Sequence, residues 1–325
     1  LAAMKRSVQL REKQNNMTIS IICTNKDPEP WVAALRALDP TLDVQIWPNE
    51  SRKADVEFAL CWNHPEGVLR DYPNLRCICS MGAGIDHLLN DEFFPKDLPV
   101  IRIIDPLLAQ SMYEYLHTAV MYYFRDFDIY KTQQHQSNWK QQSPKKIAHT
   151  TIGVMGLGKL GEYSASKFSK IGFNVIGWSR TQKTITGVKS YAGDRQLGEF
   201  LSQVNILICL LPLTNETRGI LNLENFNKLP FGACLVNVAR GEHLIDEDLI
   251  TALNEGQLRA ACLDVFREEP LPQMHPFWQN KKILLTPHCS SITDPNSVAP
   301  QILKNYRLMK SGRALMNQVD AFRGY

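Results

Sequence analysis

Nowhere in the 325 residues does an apolar run reach the roughly 18 residues that a membrane helix requires. Cysteine is present eight times but never as C-x-x-C, and the histidines show no metal-ligand spacing. Neither a redox dithiol nor a structural metal site is indicated, and reduced thiols packing as small hydrophobes are the economical reading. An excess of one charge is missing from most of the chain. The formal +3 lies in the first sixteen residues, where Lys5, Arg6, Arg11 and Lys13 face only Glu12. Beyond Asn16 cations and acids cancel, so a nucleic-acid-binding body is not expected. Internal repeats and low-complexity tracts are also absent.

Residues 1–16 have no apolar core and are therefore not a secretory signal. They read as a cloning remnant or a disordered tail, with Met17 as the natural start. The remainder is long enough for two domains.

Short apolar runs alternate with amphipathic helical stretches, which predicts βαβ units and parallel sheets. Strands are expected at 19–23, 44–47, 57–61, 76–80 and 100–104, with a helix near 31–38. From Met112 to about Gln136 a helical run carries aromatic residues around much of its circumference. A helix of that kind needs several neighbours, and a subunit interface is expected there. A second series places strands at 151–155, 174–178, 205–211, 233–238, 260–265 and 283–286. A last helix near 297–310 is expected to return to the first domain.

Gly156-Leu157-Gly158-Lys159-Leu160-Gly161 stands between a strand and a helix, the context a dinucleotide-binding turn requires. Gly156 permits the tight turn, Gly158 lets backbone approach a pyrophosphate, and Gly161 allows close helix–strand packing. The helix N-terminus then offers free N–H groups and a positive dipole end to the phosphates. At the end of the next strand the acidic residue that would accept bonds from ribose hydroxyls is missing. Ser179, Arg180 and Thr181 stand in its place, followed by Lys183. Arginine can fork onto a 2′-phosphate and the hydroxyls can donate to it, so NADP is expected in preference to NAD.

Three polar residues follow the later strands: Arg240 in Asn237-Val238-Ala239-Arg240-Gly241, Glu269 in the run from Asp264 to Pro272, and His288 in Thr286-Pro287-His288. Ligands of open α/β sheets bind at the carboxyl ends of strands, so these residues are expected to converge. An arginine fork suits a 2-oxo acid, because it can hold the carboxylate and stabilise charge developing on the carbonyl oxygen. Histidine is a natural proton donor near neutral pH, and a carboxylate bonded to it favours the imidazolium. Glu268 competes with Glu269 for that role.

With this ordered set behind the glycine motif, the chain resembles the D-2-hydroxyacid dehydrogenases over essentially residues 17–325. Within that family it is most similar to the glyoxylate/hydroxypyruvate reductases. The stretches 80–86, 177–181 and 318–325 carry the closer likeness. The resemblance implies a Rossmann NADP-binding domain (111–290, opening with a dimerisation helix) inserted into a discontinuous flavodoxin-like substrate domain (17–110 and 291–325). It implies Arg240, Glu269 and His288 as the catalytic triad, with Glu269 chosen because it directly precedes Pro270. Asp264 and Ser290 would bind the nicotinamide carboxamide, and Leu211, Pro212, Val238 and Ala239 would line the cofactor. Ala83 and Gly84 would hold the substrate carboxylate opposite Arg240, with Trp62 as a wall. Trp139 lies in a segment that in relatives reaches toward the other subunit's site. NADPH-dependent reduction of glyoxylate to glycolate and of hydroxypyruvate to D-glycerate, in a cytoplasmic homodimer, is the implied activity. Reduction of a different 2-oxo acid and dinucleotide sensing without turnover remain open.

Overall fold

The computed structural model describes residues 18–324, so the reading of residues 1–16 lies outside the described residues. Two compact units divide the chain. One comprises the described residues up to Asp105 together with those from Thr293 onward, and the other spans Pro106–Ile292.

The first unit begins with β1 (Thr18–Cys23), α1 (Glu29–Leu38), β2 (Asp43–Ile46), β3 (Phe58–Trp62), β4 (Cys77–Ser80), the single turn α2 (Asp86–Leu89) and β5 (Val100–Ile101). All residues of β1 and β4 are buried, as expected of strands covered on both faces.

The second unit opens with α3 (Pro106–Phe124) and α4 (Phe127–His135). It continues through β6 (Thr151–Met155), α5 (Lys159–Ile171), β7 (Asn174–Ser179), β8 (Val188–Ala192) and α6 (Asp194–Leu201). Then come β9 (Ile206–Cys209), α7 (Leu223–Phe226), β10 (Ala233–Asn237), α8 (Asp246–Glu255), β11 (Leu258–Leu263) and β12 (Ile283–Leu285). The chain returns to the first unit with α9 (Pro295–Lys310) and β13 (Gln318–Val319).

The first sheet has the order β13-β5-β4-β3-β1-β2 and is parallel except for β13, which runs antiparallel to β5. Without that edge strand it is the flavodoxin-like 2-1-3-4-5 arrangement. α9 packs Val298, Ile302 and Tyr306 into the same core as Ile19, Leu35 and Phe58. The second sheet, β12-β11-β10-β9-β6-β7-β8, is the Rossmann order with one additional strand beyond β11. Its strand order reverses between β6 and β9, so the glycine turn after β6 sits at the switch point.

Three details differ from the sequence expectation. The helical run expected from Met112 begins at Pro106, since proline fits the first helical turn where its missing N–H is not needed. The run is also broken, because Asp126 takes a left-handed backbone (φ 60°). Its carboxylate is bound by Lys145 and, at 2.6 Å, by Arg259 of β11, which over-determines the bend. The strands β8 and β13 were not expected. β8 is a half-exposed edge with a mixed sequence, and β13 has only two residues.

Candidate active site

The glycine turn is built from backbone and from missing side chains. Gly156 has φ +99°, and a Cβ there would lie 2.5 Å from the Leu210 carbonyl oxygen. A Cβ on Gly161 would lie 1.8 Å from the Gly156 carbonyl oxygen, so α5 can pack on the turn only with glycine. A Cβ on Gly158 would meet nothing within 4 Å. Gly158 caps α5 and, like Lys159, is exposed, so open space lies in front of the first N–H groups of a 13-residue helix. Leu157 and Leu160 contribute differently: Leu157 is buried against Gly177 of β7, and Leu160 packs on the core between sheet and helices. Leu211 is buried beside the turn, and Pro212 after it is half-buried.

At the end of β7 the hydroxyl of buried Ser179 donates to the Thr181 carbonyl at 2.8 Å, which shapes the bend that presents exposed Arg180 and Thr181. Glu216 is the nearby acid. The Thr214 hydroxyl and then the charge of Arg180 draw its exposed carboxyl below the usual range.

Arg240 leaves β10 on a turn held from beneath. Asn237, with no exposure, donates to the Arg240 carbonyl at 3.0 Å and accepts from the Ala239 N–H. Buried His243 places one ring nitrogen 3.2 Å from the Arg240 carbonyl and the other 3.3 Å from that of Pro212. Val238 and Ala239 are buried in this turn. A Cβ on Gly241 would lie 1.9 Å from the Phe266 carbonyl carbon, so this turn and the one carrying Glu269 touch backbone to backbone.

Glu269 Oε2 lies 2.7 Å from His288 Nδ1, and Oε1 accepts the Phe266 N–H at 2.9 Å. Burial alone would raise the Glu269 carboxyl. The His288 bond, the Phe266 N–H and the charges of His288 and Arg240 outweigh it and hold the group below the usual range. Glu268 forms no hydrogen bond or ion pair among the described residues, so the geometry pairs His288 with Glu269. The Nε2 of His288 has no partner among the described residues.

His288 itself takes a left-handed backbone, φ 51°, which costs a side-chain-bearing residue on the order of 1–2 kcal/mol. Asp264 holds it there. This fully buried carboxylate accepts from the Thr286 hydroxyl (2.6 Å), the Cys289 N–H (2.9 Å) and the Ser290 N–H (2.8 Å), while the Asp264 carbonyl accepts from the His288 N–H. The Tyr115 hydroxyl of α3 adds a 2.6 Å bond to Thr286. Asp264 and Ser290 were expected at the carboxamide. The structure engages both Asp264 oxygens in the turn, and Ser290 is buried with its N–H on Asp264. Asp264 is thus a brace for the His288 turn, a role with no local spacing to announce it.

In the first unit the loop after β4 is also braced. The Ser80 hydroxyl donates to the Gly84 carbonyl at 2.7 Å and accepts from the Gly82 N–H at 3.1 Å. With its proton committed, Ser80 takes a third bond only as acceptor, from His87 Nε2 at 3.0 Å. His87 Nδ1 then accepts the Asn63 N–H. Ala83 and Gly84 stay partly exposed. Trp62 lies 4.3 Å from the His87 ring, with the Lys26 ammonium 3.7 Å over its face, and a Cβ on Gly82 would meet it at 2.7 Å. Trp139 is fully exposed on a segment without regular structure.

Residues 117–290 match the family model of the D-isomer specific 2-hydroxyacid dehydrogenase NAD binding domain. The chain belongs to the D-2-hydroxyacid dehydrogenases. It is 43% identical to glyoxylate/hydroxypyruvate reductase A of Serratia proteamaculans, over 91% of this chain and 96% of that protein. The reductase of the same name from Yersinia enterocolitica is 39% identical over 92% and 97%. Among solved structures, a family member from Xanthobacter autotrophicus in complex with NADPH and MES is similar, with a TM-score of 0.91 and 38% identity over 95% of this chain and all of that one. The NADPH-dependent glyoxylate/hydroxypyruvate reductase of Sinorhizobium meliloti, in complex with NADP and sulfate, gives 0.88 and 30% over 95% and 100%.

Proposed function

We propose that this family member is an NADPH-dependent reductase of glyoxylate and hydroxypyruvate. The observation that carries the reading is the Glu269–His288 pair beside the Arg240 turn in a chain with an open glycine cradle. When bound, the dihydronicotinamide supplies the hydride that reduces the carbonyl carbon. The chain's own groups do the rest. The N–H groups of α5 over Gly158 would hold the phosphates, and Arg180 with Thr181 would hold the 2′-phosphate. Ala83 and Gly84 offer backbone N–H groups to the substrate carboxylate. Arg240 holds the 2-oxo acid and stabilises negative charge on its carbonyl oxygen. His288, oriented through Nδ1 by Glu269, gives that oxygen its proton from Nε2. The names of the Serratia, Yersinia and Sinorhizobium relatives support this choice of substrates.

A homodimer is part of the proposal. It is supported by the exposed Trp139, Phe127 and Tyr130 on the segment that follows the aromatic-rich α3. A cytoplasmic location is supported by eight free thiols, seven of them buried. The test is the initial rate of NADPH and NADH oxidation with glyoxylate, hydroxypyruvate and pyruvate, for wild type and His288→Ala. Fast NADPH-linked turnover of the first two, reduced about 10²–10⁴-fold in the variant with NADPH binding retained, is expected. Tight NADPH binding without turnover of any acid would replace this reading with a dinucleotide sensor.

A further inference from the structure

Arg102 follows β5 at the carboxyl end of the first sheet. Its backbone N–H donates to the Asn317 carbonyl, and the next residue, Ile103, donates to the Gly82 carbonyl at 3.0 Å. Residues 102 and 103 therefore run along the loop that presents Ala83 and Gly84. The guanidinium is half-buried and makes one hydrogen bond, a long 3.4 Å contact from Nη1 to the Ala83 carbonyl. No acid pairs with it among the described residues, and burial draws its pKa down. Arg259 shows the contrast: it is also partly buried, but it is ion-paired to Asp126 and Asp128, and Cys234 together with these acids raises its pKa over the cost of burial. A guanidinium has five N–H donors in a planar fork. At Arg102 the fork is desolvated in part, without a counter-charge, beside a loop whose small residues leave their own N–H groups accessible.

We infer that Arg102 is a second carboxylate-binding side chain, which holds the acid group of the substrate against the Ala83–Gly84 backbone. The inference rests on the proposed reduction of a 2-oxo acid. A carboxylate has two coplanar acceptor oxygens that match the fork, and its charge supplies the anion that the protein does not. Arg102 would then act in binding, whereas Arg240 and His288 act on the carbonyl oxygen.

The experiment measures KM for glyoxylate and the dissociation constant of oxalate, a non-reducible acid, on the NADPH-bound enzyme. Wild type, Arg102→Gln and Arg102→Lys are compared. Arg102→Gln is expected to weaken both by about 10- to 100-fold, as for loss of a charged hydrogen bond, with kcat, NADPH affinity and melting temperature near wild type. Arg102→Lys keeps the charge without the fork and should fall between the two. Values for Arg102→Gln within about twofold of wild type would overturn the inference, and a lowered melting temperature with unchanged oxalate binding would do the same by making Arg102 a loop brace. If the glutamine variant does not fold, the lysine variant decides alone: about fivefold weaker oxalate binding supports the role, and wild-type binding overturns it. A wild type that neither reduces glyoxylate nor binds oxalate would instead sink the functional reading, and this inference with it.

Discussion

Two turns of the nucleotide-type unit use the same backbone device in opposite ways. After β6 the chain turns through a left-handed residue that is glycine, Gly156, and the turn is completed by other positions that also lack a side chain. After β12 the chain turns through a left-handed residue that is His288, and the turn is completed by side chains: Asp264, Thr286, Tyr115 and Glu269. The first turn is proposed to receive a ligand's phosphates on bare N–H groups, and there the removal of atoms is what opens the surface. The second has to aim an imidazole, so the strain of a side chain at positive φ is accepted and fixed by four partners. Glycine makes a surface available, and a hydrogen-bonded brace makes a direction available.

The largest expected effect tests the first half of that contrast. Gly161→Ala would place a methyl on the Gly156 carbonyl, and NADPH binding should fall by at least about a hundredfold by calorimetry, through the close-packing requirement. Binding by Gly161→Ala as tight as wild type would show that the turn tolerates side chains. The second turn should respond in a different constant. Asp264→Asn exchanges an acceptor oxygen for a donor facing backbone N–H groups, and kcat should drop by about 10- to 100-fold. NADPH affinity should change less than kcat; the reverse pattern would make the carboxamide the main partner of Asp264.

The smallest effect is read on the pH axis. Glu269 is held below the usual carboxylate range, so it is ionised at neutral pH where it meets His288 Nδ1. A step that uses the ionised carboxylate is lost as pH falls through the Glu269 transition, so kcat/KM has an acid limb below the usual carboxylate range. In Glu269→Gln, which cannot titrate there, that acid limb should be lost. An acid limb that stays in place would mean that the charge of Glu269 is not what the reaction uses. The same lowered carboxyl contributes stability that is present above its unfolded pKa, about 4.3, and lost as pH falls through the folded value.

How much of this was legible in the sequence follows from the same contrast. Gly156, Gly158 and Gly161 are neighbours in the chain, and each acts through what it lacks, so their spacing between a strand and a helix predicts their roles. Arg240, Glu269 and His288 are visible as residue types at strand ends, and the structure pairs two of them directly. Their supports are not visible. Tyr115 meets Thr286 across 171 positions, and the Ser80–His87 brace looks in sequence like a serine and a histidine near a small-residue loop. Asp264 is marked by family likeness as a cofactor residue, and the sequence does not show that its two oxygens also hold the His288 turn. The missed break at Asp126 has the same origin, since the ion pairs that stabilise its left-handed backbone come from Lys145 and Arg259. Alternation of apolar runs sufficed for the parallel strands buried on both faces, but not for β8, whose exposed edge has no such run.

The Asp126 cluster has a further consequence for the segment that bears Trp139. Lys145 ties the far end of that segment to Asp126, and the Tyr130 hydroxyl accepts the Gln142 N–H at 3.1 Å, so the stretch is tethered on both sides of an indole that touches nothing. A loop with fixed ends has already lost much of its chain entropy during folding of its own subunit. In the proposed dimer, a surface that receives Trp139 would have little left to order beyond one aromatic side chain, and part of the cost of association would already be met as a cost of folding.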